Sequence, residues 1–256
     1  MRMRILLAAA ALLLAIPALT VPTLAGDPTV ADLVRAYPDH LAGIGGNDLV
    51  WRDGTRMPVS DGVGEKSFDT LLDAPDIDDM VAIPYRPGAP AGPPAENEDP
   101  GRIRFEPLFA KMYGDCDRDG VAPHLRKVAW VSGSVRFTTV NGADRALEAV
   151  VADLKALPPA MTKYLVPSAG TYNCRAIAGT SRKSMHAYGA AIDISTKQSD
   201  YWRWAKPANG LTPYRNRIPF AIVEAFERHG FVWGGKWYHY DTMHFEYRPE
   251  LLPPKP

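Results

Sequence analysis

Two short segments of this 256-residue chain carry the side chains that could do chemistry: Ser184-Met185-His186-Ala187-Tyr188-Gly189-Ala190-Ala191-Ile192-Asp193 and Asp241-Thr242-Met243-His244-Phe245-Glu246. Imidazole nitrogen and carboxylate oxygen are what a catalytic zinc site takes from protein, three ligands with a fourth position left to water. His186, Asp193 and His244 are the expected ligands, and Asp241 the expected base. A water on zinc ionises near pH 7, so a carboxylate beside it can collect the proton and pass it to a leaving amine.

The elements that would position these groups are short. His186 and Asp193 are seven residues apart, and on one unbroken strand an odd separation points them to opposite faces. Gly189 with Ala190 and Ala191 offers a break, so His186 is expected just before a strand and Asp193 inside it. A carboxylate in that apolar Ala-Ile-Asp-Ile setting is costly unless paired or metal-bound; the other reading is a salt-bridged or hydrogen-bonded aspartate. Alternation in Met243 to Tyr247 puts His244 and Glu246 on one face, with Asp241 at the strand mouth. Asp241 could instead cap a turn beside Thr242. Glu246 is its rival as base or as third ligand, or else a partner behind an imidazole that fixes its tautomer.

An amide hydrolase also needs a positive group for a developing oxyanion or a substrate carboxylate. Arg175, aimed by alternation along Thr171 to Arg175, is the candidate, and Arg182 reads as a solvated loop charge. Ser184 either supports His186, touches substrate or is a turn hydroxyl; His239 is a candidate transition-state donor near Asp241 or an exposed strand histidine. The eight tyrosines and tryptophans from Tyr201 to Tyr240 could line a groove or pack a core. Asp115-Cys116-Asp117-Arg118-Asp119-Gly120 matches the first half of a calcium loop, but the twelfth place, where a glutamate is needed, holds Arg126.

The pattern S-x-H-x-x-G-x-A-x-D, followed by F-E-R-H-G-F-V-W-G-G-K-W and D-T-M-H-F-E, resembles the zinc peptidases of the D-alanyl-D-alanine carboxypeptidase (VanY-type) and L-alanyl-D-glutamate endopeptidase family. The resemblance runs from about Phe105 to Leu251 and is most specific at the metal motifs. It implies zinc at His186, Asp193 and His244, a base at Asp241, and a substrate-orienting arginine that maps to Arg175. It also implies a small antiparallel sheet with flanking helices, as in these peptidases and the Hedgehog signalling domain. The implied substrate is the peptide stem of peptidoglycan. A non-catalytic cell-wall or partner-binding module with structural zinc is the alternative, and it has no need of Asp241.

Composition sets the bounds. Apolar residues make up 46% of the chain and the formal charge is zero, which suits a globular protein and points to neither nucleic acid nor an anionic membrane surface. Arg2 and Arg4, the apolar run Ile5 to Ile16 and Thr23-Leu24-Ala25 read as a signal peptide over residues 1–25. The run is shorter than the roughly 20 residues of a membrane span. Export to the periplasm or beyond follows, with no transmembrane segment after cleavage, and a monomer is expected. Cys116 and Cys174 are then a disulfide candidate, the alternative being two buried thiols.

Residues 26–104 read as an N-terminal extension with a proline-rich loop, Pro84 to Gly101, and 105–256 as the catalytic domain. Helices are expected at Ala31–Ala36, after Ser67, from Phe105 to Tyr113, after an Asn141 cap, and from Ile218 to His229. A hairpin is expected around Ser132-Gly133-Ser134, and strands at Phe231–Trp233 and Met243–Tyr247. Helices mixed with antiparallel strands make the class α+β.

Overall fold

The computed structural model describes residues 27–207 and 212–254; the signal peptide expected at 1–25 lies outside them. Among the described residues, six α-helices and three small antiparallel sheets make an α+β fold. None of its helices is long and apolar enough to cross a membrane.

The chain opens with α1 (Val30–Ala36), where Asp32 accepts from the Thr29 N–H at 2.8 Å, and stops ahead of Pro38. A meander follows, β1 (Leu41–Gly45), β2 (Asp48–Trp51) and β3 (Arg56–Pro58). The sequence reading anticipates no strand here, because three to five residues per strand leave too few alternations to see. Helix α2 (Phe68–Asp73) is capped by Ser67, whose hydroxyl accepts from the Thr70 N–H at 3.2 Å. The proline-rich loop has neither helix nor strand, yet it is stitched to the rest of the fold. Tyr85 donates to Glu227 at 2.6 Å, Lys236 to the Gly88 carbonyl at 2.7 Å and Trp237 to the Pro100 carbonyl at 2.7 Å.

Helix α3 (Glu106–Tyr113) ends at Gly114, φ +98°, where a Cβ would collide with the Gly120 carbonyl. The hairpin β4 (Leu125–Ala129) and β5 (Ser134–Thr138) follows, and then α4 (Ala143–Ala156) with Leu147, Val150, Val151 and Leu154 buried. Gly142, not Asn141, occupies the cap of α4; Asn141 is itself left-handed at φ +56° and its amide turns to the Met112 sulfur. After α5 (Thr162–Leu165), the expected strand at Thr171–Arg175 is irregular, with isolated bridges Gly170 to Asp193 and Ala176 to Lys183. The last sheet combines β6 (Ala191–Asp193), β7 (Phe231–Trp233) and β8 (His244–Tyr247) in the order β6-β8-β7, with α6 (Phe220–Glu227) preceding β7.

Two cores hold these layers. In one, α4 and α6 pack on the β4–β5 hairpin and on β8, with the Phe226 and Phe245 rings stacked at 3.8 Å. The other joins Leu33, Tyr37 and Trp51 to Phe109, Tyr113 and Tyr188, so residues on both sides of position 104 share it. Phe226 is fully buried, and Phe226→Ala should lower stability by about 3–5 kcal/mol in urea denaturation followed by circular dichroism. A loss under about 1 kcal/mol would mean that this stack does not support β8.

Candidate metal centre

Ser184 opens a one-turn 3-10 helix, Met185–Tyr188, by accepting from the His186 N–H at 3.3 Å. The turn closes on Gly189, φ +65°, where a Cβ would strike Leu125. This sharp reversal lets the next residues enter β6 with the Asp193 carboxylate on the side of His186. The antiparallel register pairs Asp193 directly with His244. His186 Nε2 lies 3.1 Å from Asp193 Oδ1, His244 Nδ1 lies 3.0 Å from the same oxygen, and the two nitrogens are 3.2 Å apart.

This triangle fits a tetrahedral cation. Zinc–ligand bonds of about 2.0–2.1 Å put ligand atoms about 3.3–3.4 Å apart, close to the spacing found. Each imidazole is tied at its other nitrogen, His186 Nδ1 by the Thr171 carbonyl and His244 Nε2 by Glu246 at 3.0 Å. These ties leave Nε2 of His186 and Nδ1 of His244 for a metal. His186, His244 and Asp193 are thus the residues that would hold zinc, and among the described residues they form one of two such groups. The other, Cys116, Asp117 and Cys174, is spent, because the cysteines are joined in a disulfide with Cα atoms 5.7 Å apart.

Electrostatics sharpen the fit. Burial alone would raise Asp193, but the charges and hydrogen bonds of His186 and His244 hold it well below the usual carboxylate range. Burial would likewise lower His244, yet its bonds to Asp193 and Glu246 raise it to about 10. Glu246 is fully buried behind His244, and Arg104 and Arg248 hold it ionised against that burial. It bonds the nitrogen that faces away from the triad. Arg248 also donates to Glu250, which in turn accepts from the Tyr37 hydroxyl.

Asp241 lines the same cavity of about 370 Å³. Its Oδ1 is buried with no hydrogen-bond partner, an unusual state for a carboxylate oxygen. Burial and then the Asp193 charge raise Asp241 to about 6. The turn-cap alternative would need that oxygen to accept a bond, which it does not.

The remaining candidates divide. Ser184, Arg175 and His239 also line the cavity. Arg175 is exposed at its edge and donates only to the Ala176 carbonyl, at 3.3 Å. His239 is held by Asp99, a fully buried carboxylate, at 2.7 Å, and stacks on Phe68. Tyr201, Trp204 and Trp237 line the cavity, whereas Trp233 and Tyr240 are core residues. Arg182 is not a solvated charge: its side chain is 17% exposed and faces Asp73. The acidic turn at Asp115 is used internally, since Asp115 accepts from the Asp117 N–H and Lys183 pairs with Asp117. Arg126 turns away to Asp144 and Glu148.

Sequence reasoning missed Asp99, Arg104, Arg248, Glu250 and Tyr37. Arg104 left a trace, a cation alternating with Ile103 and Phe105; Asp99 in its proline-rich surroundings left none.

Residues 178–247 match a family model described as D-alanyl-D-alanine carboxypeptidase. No curated protein and no solved structure matches the chain. The matched stretch holds His186, Asp193, Asp241, His244 and Glu246, while Arg175, Asp99, Arg104 and both cysteines lie outside it.

Two outcomes test the centre. With His244 raised to about 10, zinc entering near pH 7 must expel a proton, so affinity should rise with pH and calorimetry in buffers of different ionisation heat should show proton release. Glu246→Gln should weaken zinc about 10–100-fold in a chelator competition, since the carboxylate behind His244 is lost.

Proposed function

We propose that this chain, whose residues 178–247 match a family model described as D-alanyl-D-alanine carboxypeptidase, is an exported zinc metallopeptidase that hydrolyses an amide bond in the peptide stem of peptidoglycan. The observation that carries the reading is the His186–Asp193–His244 triangle sharing a cavity with the unpartnered oxygen of Asp241. The disulfide suits an oxidising compartment, in line with a signal peptide at 1–25. Residues 26–104 are then an extension on a catalytic domain of 105–256.

Zinc bound by the three ligands would lower the pKa of a water and polarise the scissile carbonyl. The chain's own groups do the rest. A pKa near 6 leaves Asp241 ionised at neutral pH yet basic enough to take a proton from the attacking water. The same oxygen returns that proton to the amide nitrogen as the C–N bond breaks, so carboxylate and amine leave and Asp241 is regenerated. Arg175, with no carboxylate of its own among the described residues, holds an anionic part of the substrate. Ser184 keeps the His186 turn in place, and the Asp99–His239 pair presents an imidazole edge to the bound peptide. A wall-binding module with structural zinc would have no use for a partnerless carboxylate oxygen beside its metal.

Asp241→Asn should bind zinc as the parent does but lose about 10²–10⁴-fold in the rate of stem-peptide cleavage, read by mass spectrometry of products. Full activity in that variant removes Asp241 as the base. Because the base must be ionised, kcat/KM should fall as pH drops through about 6 or below, and a profile flat down to pH 4 contradicts the assignment.

A further inference from the structure

Beside the metal cavity lies a second cavity of about 170 Å³. Arg102, Ile177, Tyr201 and His239 line both, so the two are neighbouring compartments of one groove. The wall between them is the tight reversal at 176–183, where the Ile177 N–H donates to the Arg182 carbonyl at 2.8 Å. The far wall comes from outside the matched stretch, with Phe68 and Leu72 of α2 and with Asn97.

Charge in this compartment is one-sided. Arg102, Arg182 and Arg203 line it against a single carboxylate, Asp69, which is exposed. Arg102 is already matched by the buried Asp99 at 3.2 Å. Arg182 approaches only Asp73, at 3.2 Å and 70% exposed, and its Nε and Nη1 make no hydrogen bond. Arg203 has no carboxylate partner among the described residues; its guanidinium lies 5.0 Å over the Trp202 ring and beside Gly179. Burial and then the neighbouring Arg102 lower Arg182 from its ordinary value, against the opposing pull of Asp73.

We infer that this compartment is a carboxylate subsite, in which Arg182 and Arg203 hold a carboxylate of the substrate peptide remote from the bond being cut. This rests on the peptidase reading for the identity of the ligand. Guanidinium forks match carboxylates in plane, and a partly desolvated fork binds them more strongly than a solvated one. The subsite would select stem peptides by their internal carboxylates, leaving the reacting groups to the metal cavity. It would also give residues 68–97 a part in specificity.

Two synthetic stem peptides, one with its internal carboxylates free and one with them amidated, are titrated into the zinc-free full chain by calorimetry. The parent should bind the acid about tenfold or more tightly than the amide. Arg203→Gln, at an exposed position, should erase that preference by weakening the acid alone, and Arg182→Gln should do the same. If Arg182→Gln does not fold, Arg182→Lys, which keeps the charge but loses the fork, should retain part of the preference. Equal binding of acid and amide by the parent, equal weakening of both in Arg203→Gln, or binding of neither peptide overturns the subsite. A zinc-loaded chain that prefers the acid yet cleaves neither peptide refutes the peptidase reading instead.

Discussion

The register of β8 against β6 sets Asp193 opposite His244, and this one pairing governs the site. It brings a carboxylate oxygen within 3.0 Å of one imidazole and 3.1 Å of another on the largely buried wall of a cavity. Donor atoms so crowded suit a shared cation, because each would otherwise lose solvent without gaining a full complement of partners. The surrounding structure serves to keep the crowding in place. Gly189 permits the turn that delivers His186, and the Phe226–Phe245 stack fixes β8 from its other face. A slip of one residue in β8 would turn His244 into that aromatic core.

Behind the triad the buried charges alternate in sign: His244, Glu246, the pair Arg104 and Arg248, then Glu250, ending on the Tyr37 hydroxyl. Buried ion pairs are weak evidence for stability, since desolvation offsets much of their attraction. Their value here is directional. Glu246, Arg248 and Glu250 each have partners on two sides, so the His244 ring cannot rotate without breaking a chain of bonds that ends on Tyr37, just past α1. The amino-terminal segment is thereby tied to the orientation of His244, a residue far from it in sequence that could hold a metal. Asp99 does the same for His239 from within the proline-rich loop.

The groove divides its chemistry by charge. Carboxylates gather at the floor, where Asp193 and Asp241 meet the imidazoles, and guanidinium groups occupy the walls. Wall cations paired inside the protein, such as Arg104 and Arg102, hold the architecture. Arg175 and Arg203 have no carboxylate partner among the described residues, and Arg182 has only the exposed Asp73.

Much of this could be read from residue order alone. The α+β class, the β4–β5 hairpin and α4 follow from local periodicity, and the grouping of His186, Asp193 and His244, which could hold a metal ion, follows from residue types that an apolar strand would otherwise exclude. The meander at 41–58 was illegible because its strands are too short to show a period, and the cap of α4 shifted from Asn141 to Gly142 through tertiary contact with Met112. Arg182 read as solvated because sequence carries no record of what closes over a loop.

The sequence by itself thus determined which residues could ligate a cation, since donor chemistry belongs to residue type. Only the tertiary structure decided which nitrogen of each ring faces the triad, what holds the other, and that Phe68, Leu72 and Asn97 line the neighbouring cavity. Those choices depend on contacts between segments far apart in the chain, and such contacts are settled by packing and by the pairing of buried charge, not by local order.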